Sequence, residues 1–120
     1  MAAFLLADSD RNFQRALEIA LRLEGAQVSV ADSVVEAQAL LHRGSFDLVA
    51  IDTLLADADR LLELTTSAGL LTVAMGPYAE LLVRAARLHH VPTLEKPFDA
   101  AALLAHARAD GADAGAGFAA

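Results

Sequence analysis

The chain of 120 residues contains no cysteine. That removes disulfides, thiolate zinc sites and cysteine nucleophiles together, and it fits a cytoplasmic protein. Basic residues are scarce, with nine Lys and Arg against sixteen Asp and Glu and a net charge of −7. Nucleic-acid surfaces normally need a basic stripe, so no direct nucleic-acid partner is expected. Long apolar runs are missing too. No stretch approaches the roughly 18 uninterrupted apolar residues of a membrane span, so no membrane partner is expected either. Met1–Leu6 is apolar, but Asp8 and Asp10 follow at once and the basic start of a signal peptide is absent. That segment reads as the first element of a fold. What the chain does have is apolar bulk, 56 % of its residues, enough for a core.

The apolar residues alternate between two periods. Ala3–Ala7 is a short apolar run that ends in acids, as a buried strand would. Asn12–Glu24 has helical spacing, with Phe13, Leu17, Ala20 and Leu21 on one face, and Gly25 stops it. Gln27–Val30 reads as a strand. Asp32 or Ser33 then caps a helix running to about Arg43. Phe46–Ile51 is a second strongly apolar strand that ends in an acid, Asp52. Helix Ala58–Ser67, strand Leu71–Met75, helix Tyr78–Leu88, strand Val91–Leu94 and helix Phe98–Arg108 complete the chain. Five strands alternating with five helices predict an α/β fold, a doubly wound parallel sheet with helices on both faces. Residues 1–109 form that domain. Residues 110–120 are mostly Gly, Ala and Asp, and are expected to be a flexible tail or linker stub.

In open parallel sheets the site lies beyond the carboxyl ends of the strands. Here those ends carry Asp8-Ser9-Asp10, Asp52, Met75-Gly76 and Glu95-Lys96-Pro97. Clustered carboxylates raise one another's pKa. A divalent cation relieves that, and an all-oxygen donor set suits magnesium. Lys96 would pair with a carboxylate or an added phosphoryl group. Each residue also has a plainer role. Asp8 or Asp10 would serve as an N-cap for the helix near Arg11, and Lys96 alone would be a surface lysine. Their joint placement carries the information.

Three stretches resemble the receiver domain of two-component response regulators, the CheY-like family. Phe4–Asp10 (FLLADSD) is similar to its first strand and acidic cluster. Phe46–Asp52 (FDLVAID) resembles the strand bearing its phosphoacceptor. Glu95–Asp99 (EKPFD) resembles its Lys-Pro motif. The resemblance spans about residues 3–109 and implies strand order 2-1-3-4-5. It implies that Asp52 takes a phosphoryl group from a histidine kinase or phosphotransfer protein. It also implies that Asp8, Asp10 and Asp52 hold magnesium, that Lys96 pairs with the phosphoryl group, and that the Lys96–Pro97 bond is cis. The domain would be a signalling module, not a metabolic enzyme.

The chain also departs from that pattern. Ser9 stands where the family has a second adjacent acid. Met75 falls where it has Thr or Ser at the end of strand four, and Thr93 where it has a switch aromatic. Ala56 and Arg60 replace its Pro and Gly turn. Two readings follow: a receiver that still accepts phosphate at Asp52, with weak magnesium binding, or a pseudo-receiver that docks proteins without phosphorylation. A flavodoxin-like enzyme or cofactor binder is the third. The chain lacks the Gly-x-Gly-x-x-Gly, phosphate-loop and nucleophile-elbow motifs that such a protein would carry.

The four histidines do not pair by spacing. Adjacent His89 and His90 point about 100° apart on a helix, which predicts polar surface at a helix C-terminus. His42 and His106 lie on other helices, and none is placed as a general base near Asp52. The resemblance implies that the Tyr78–Arg108 face contacts an output domain, a partner protein or a second copy of the chain. The chain reads either as a stand-alone receiver or as a piece of a larger regulator.

Overall fold

The computed structural model describes residues 2–119, with side chains described through residue 109. Strands β1 (Ala3–Ala7), β2 (Gln27–Ala31), β3 (Leu48–Asp52), β4 (Thr72–Gly76) and β5 (Thr93–Glu95) alternate with five helices. These are α1 (Arg11–Leu23), α2 (Val34–Arg43), α3 (Ala58–Ser67), α4 (Ala79–His89) and α5 (Ala100–Ala119). All strand pairs are parallel, in the order β2-β1-β3-β4-β5. Helix α5 continues past the expected boundary after residue 109 to Ala119, and the side chains beyond residue 109 lie outside those described. Among the described residues no helix is long and apolar enough to cross a membrane.

Side chains on a strand point alternately to the two faces, and here both faces are apolar. Leu5, Ala7, Val49, Ile51 and Ala74 pack with Val34 and Ala37 of α2, Leu61 and Leu62 of α3, and Leu82 and Ala85 of α4. Phe4, Leu6, Leu48, Ala50, Val73 and Met75 pack on the other face with Leu17 and Leu21 of α1 and Leu103 and Leu104 of α5. That double burial is why β1, β3 and β4 read as continuous apolar runs.

Local chemistry sets the helix ends. Asp10 caps α1, its Oδ1 accepting from the Phe13 N–H at 3.1 Å. Gly25 follows the helix at φ 89, a conformation glycine adopts without Cβ strain. Ser33 caps α2, and Glu36 reaches back to the Asp32 N–H, so each side chain satisfies a backbone donor near the helix start. Two strand ends differ from expectation in ways that matter for the site. β4 ends at Gly76, not Met75. β5 begins at Thr93, not Val91, because Pro92 has no N–H to give the ladder and offers only its carbonyl, which accepts from Ala74 N at 3.0 Å. Helix α5 starts at Ala100 rather than Phe98, with the Asp99 carboxylate accepting from the Ala102 N–H at 3.1 Å.

Candidate functional site: a buried Asp-Lys-Asp cluster at the carboxyl edge

Strand parity builds the site. Phe4 and Leu6 of β1, Leu48 and Ala50 of β3, and Leu94 of β5 all pack toward α1 and α5. Asp8, Asp52 and Lys96 each follow by two residues and keep that face. At the carboxyl edge, Lys96 Nζ lies 2.6 Å from Asp8 Oδ2 and 2.5 Å from Asp52 Oδ2. Both carboxylates are 1 % exposed. Their second oxygens are also engaged. Asp8 Oδ1 accepts from the Asp10 N–H at 2.8 Å, and Asp52 Oδ1 accepts from the Leu54 N–H at 2.6 Å.

Burial dominates the electrostatics of Asp8. It raises the carboxyl above its ordinary pKa, against the opposing hydrogen bonds from Lys96 and Asp10. Burial alone would lower Lys96. The hydrogen bonds to Asp52 and then Asp8 outweigh it together, so the ammonium is held above its ordinary pKa and stays charged. One cation thus faces two carboxylates in a region largely closed to water. That arrangement attracts a further positive charge and positions donors and acceptors before any ligand arrives.

The walls come from residues that the sequence does not mark for a role at the site. The Phe13 ring centroid lies 4.4 Å from Lys96 Nζ, a cation–π contact, and Phe98 packs edge-on against that ring at 5.1 Å. Gln14 is buried, and its amide donates to the Leu6 and Ala31 carbonyls at 3.1 and 2.9 Å, which joins β1 to β2 just below Asp8. The sequence marks Phe13 only as one of the apolar positions on one face of α1. A cavity of about 270 Å³ opens over the cluster, bounded by Ser9, Asp10, Leu54 and Pro77 as well as the charged residues. The Lys96–Pro97 peptide is cis.

The other residues singled out from sequence are placed less centrally. Asp10 stands at the rim, occupied by its cap. Ser9 is exposed. Met75 is fully buried beneath the cluster, among Phe4 and Leu6, so the last side-chain position of β4 belongs to Gly76. Thr93 is half-buried and opens β5 opposite Ala74. His89 corrects the expectation of a surface pair. Its ring is 11 % exposed, and Nε2 lies 3.0 Å from Asp59 Oδ1 on α3. Arg84 bonds both oxygens of the same carboxylate at 3.0 and 2.8 Å. His90 lies past the helix in a left-handed conformation, φ 55, and is exposed. Among the described residues no group of three or more His, Asp or Glu side chains is spaced to hold a metal ion. Asp8 and Asp52 alone form a buried, all-oxygen anionic pair, a donor set that fits a hard divalent cation.

No protein-family model and no curated protein matches the chain. Solved structures do match. A CheY-like response regulator receiver domain protein from Methanospirillum hungatei superposes with a TM-score of 0.80 at 23 % identity, over 92 % of this chain and 93 % of that one. A response regulator protein from Burkholderia pseudomallei, solved with a phosphorylated aspartic acid, calcium ion and citrate, gives 0.76 at 23 % identity, over 99 % and 74 %. NtrX from Brucella abortus, in complex with ADP, gives 0.79 at 27 % identity, over 90 % of this chain and 26 % of that one. Strand order, helix placement and these superpositions agree: the chain has the fold of CheY-like response regulator receiver domains.

Proposed function

We propose that this chain is a two-component receiver that takes a phosphoryl group onto Asp52 and signals through protein contacts. The observation that carries this reading is the Lys96 bridge between buried Asp8 and Asp52 at the carboxyl edge of a CheY-like sheet. In the transfer, an Asp52 carboxylate oxygen attacks phosphorus in line. The phosphorus–nitrogen bond of a phosphohistidine breaks, and the imidazole leaves with the electron pair and takes a proton. The product on Asp52 is an acyl phosphate.

This chain's residues supply position and charge, which is most of what phosphoryl transfer needs. Lys96 steadies Asp52 and is poised to pair with the incoming oxygens. Phe13 shields the ammonium from water on one side. Asp8 and Asp52 would hold magnesium, while Asp10 stays at the rim as the cap of α1. When bound, the ion offsets charge on the phosphoryl oxygens. Output would pass through α4, β5 and the start of α5, where Tyr78, Val83 and Leu88 are exposed apolar residues suited to a partner protein or a second copy.

The test is incubation with a small phosphodonor such as phosphoramidate in magnesium, followed by intact-mass analysis. One phosphoryl group should add to the wild type and none to Asp52→Asn. An unlabelled wild type, both with phosphoramidate and with a phosphorylated histidine phosphotransfer protein, would overturn the reading and leave a phosphorylation-independent docking module.

A further inference from the structure

Thr53 follows Asp52 directly. Its N–H donates to the Met75 carbonyl at 2.8 Å, so the backbone is still tied to β4 at this point. Its hydroxyl is different: Thr53 Oγ1 is buried and, among the described residues, is the one buried side-chain polar atom without a hydrogen-bond partner. Buried polar groups are nearly always satisfied, and an orphan in a native fold calls for an explanation.

The surroundings of that hydroxyl supply one. It lies against Gly76, the last residue of β4, in the space a side chain there would fill. A Cβ added to Gly76 would fall on Thr53 Oγ1. The Gly76 carbonyl in turn accepts from the Lys96 N–H at 2.8 Å. Asp52, Thr53, Gly76 and Lys96 therefore sit in one row across β3, β4 and β5 at the carboxyl edge. Lys96 approaches Asp52 from the α1–α5 face. Thr53 has the opposite parity and lines a cavity of about 510 Å³ between α3 and α4, together with Asp59 and Arg84.

We propose that the Thr53 hydroxyl is a phosphoryl-binding group, orphaned in the resting form and satisfied when Asp52 is modified. This rests on the reading of Asp52 as the acceptor. An acyl phosphate on Asp52 extends off the edge of the sheet, where its two faces meet. It brings three strong acceptor oxygens to the residue beside Thr53. Lys96 meets them from one face and Thr53 donates from the other. Because Thr53 also forms part of the α3–α4 cavity, satisfying its hydroxyl couples the modification to the wall that Arg84, Asp59 and His89 hold together.

The experiment uses beryllofluoride with magnesium as the probe. Binding is followed by two-dimensional amide NMR on wild type, Thr53→Val, Thr53→Ser and Asp52→Asn, with thermal melts of each. Losing a hydrogen bond to a charged group should weaken beryllofluoride binding about tenfold in Thr53→Val. Thr53→Ser should stay within about twofold of wild type, since it keeps the donor. Thr53→Val should melt no lower than wild type, because it removes an unsatisfied hydroxyl without changing shape. That separates a binding role from a packing role. Shifts at Ala58–Leu62 and Leu81–Ala85 should appear in wild type and Thr53→Ser and be lost in Thr53→Val. If Thr53→Val fails to fold, Thr53→Ala is the second variant and should show the same loss of binding. Wild-type affinity and shifts in a folded variant lacking the hydroxyl would overturn the role of Thr53 alone. Binding that is absent in wild type, or unaffected by Asp52→Asn, would overturn the acceptor reading and Thr53 with it.

Discussion

Lys96 is the residue whose removal should be felt most. Its ammonium is the single cation between two buried carboxylates. Breaking a buried ion pair by deleting one partner typically costs about 3–5 kcal/mol. Lys96→Met should lose stability on that scale in urea unfolding near neutral pH. Lys96→Arg should not restore it, because a planar guanidinium is larger than the ammonium seated against Phe13. Asp52→Asn should cost far less, since the Asp8–Lys96 pair remains. A second residue gives a pH test. Asp59 is held below the usual carboxylate range by His89 first and Arg84 next. A depressed carboxylate stabilises the fold above its unfolded pKa, about 3.9, and the benefit is lost as pH falls through the folded value. Asp59→Asn should therefore be less stable than wild type above about pH 4 and converge with it in stronger acid. The carboxylate is half exposed, so solvent screening should hold the difference under about 1 kcal/mol. Urea melts across a pH series would read it.

At the scale of the elements, β3 and β4 meet through a small residue facing a larger one. Gly76→Ala should force the Thr53 hydroxyl out of its rotamer and cost about 1 kcal/mol. Adding Thr53→Ala should recover most of that loss, a coupling that a double-mutant cycle measures directly. This contact was not legible in the sequence. Apolar runs ending in acids identified β1 and β3, and helical spacing identified α1 through α4. Asp8, Asp52 and Lys96 were visible because they stand just past apolar runs. Gly76 and Thr53 lack such a flag. Their meeting depends on the β3–β4 register, in which Asp52 faces Met75, and a one-residue error in the end of β4 hides it. His89 was misjudged for a related reason. Its surroundings come from Asp59, thirty residues away on another helix, and no local pattern announces such a contact. Asp10 was legible in both of its possible roles, and cap geometry shows the one it performs in this structure.

For the molecule as a whole, any ligand that binds only the folded state stabilises it by mass action. At a hundredfold excess over its dissociation constant the gain is about 2.7 kcal/mol. Magnesium with beryllofluoride should therefore raise the melting temperature of wild type in a concentration-dependent way. The same additions should move Asp52→Asn only by the smaller background of cation uptake elsewhere on the surface. Calorimetry would show both, and a shift of equal size in Asp52→Asn would place the binding elsewhere. The acidic balance of the chain, net −7, favours cation uptake over the whole surface, so the variant serves as the control for that background.

The alternation of faces that assembles the cluster also restricts how this domain can change its length. Removing one residue from Leu48–Ile51 would turn the Asp52 carboxylate to the α3–α4 side, away from Lys96, even if every remaining side chain were kept. Removing two would restore the orientation but draw the edge back by about 7 Å at strand rise. Insertions and deletions are thus tolerable in the loops at the opposite, amino-terminal edge and close to forbidden within the strands. Related chains should vary in length around Gly44–Ser45 and Ala68–Gly69, and hold constant the spacing from the first apolar residue of β1 to Asp8 and from Leu48 to Asp52.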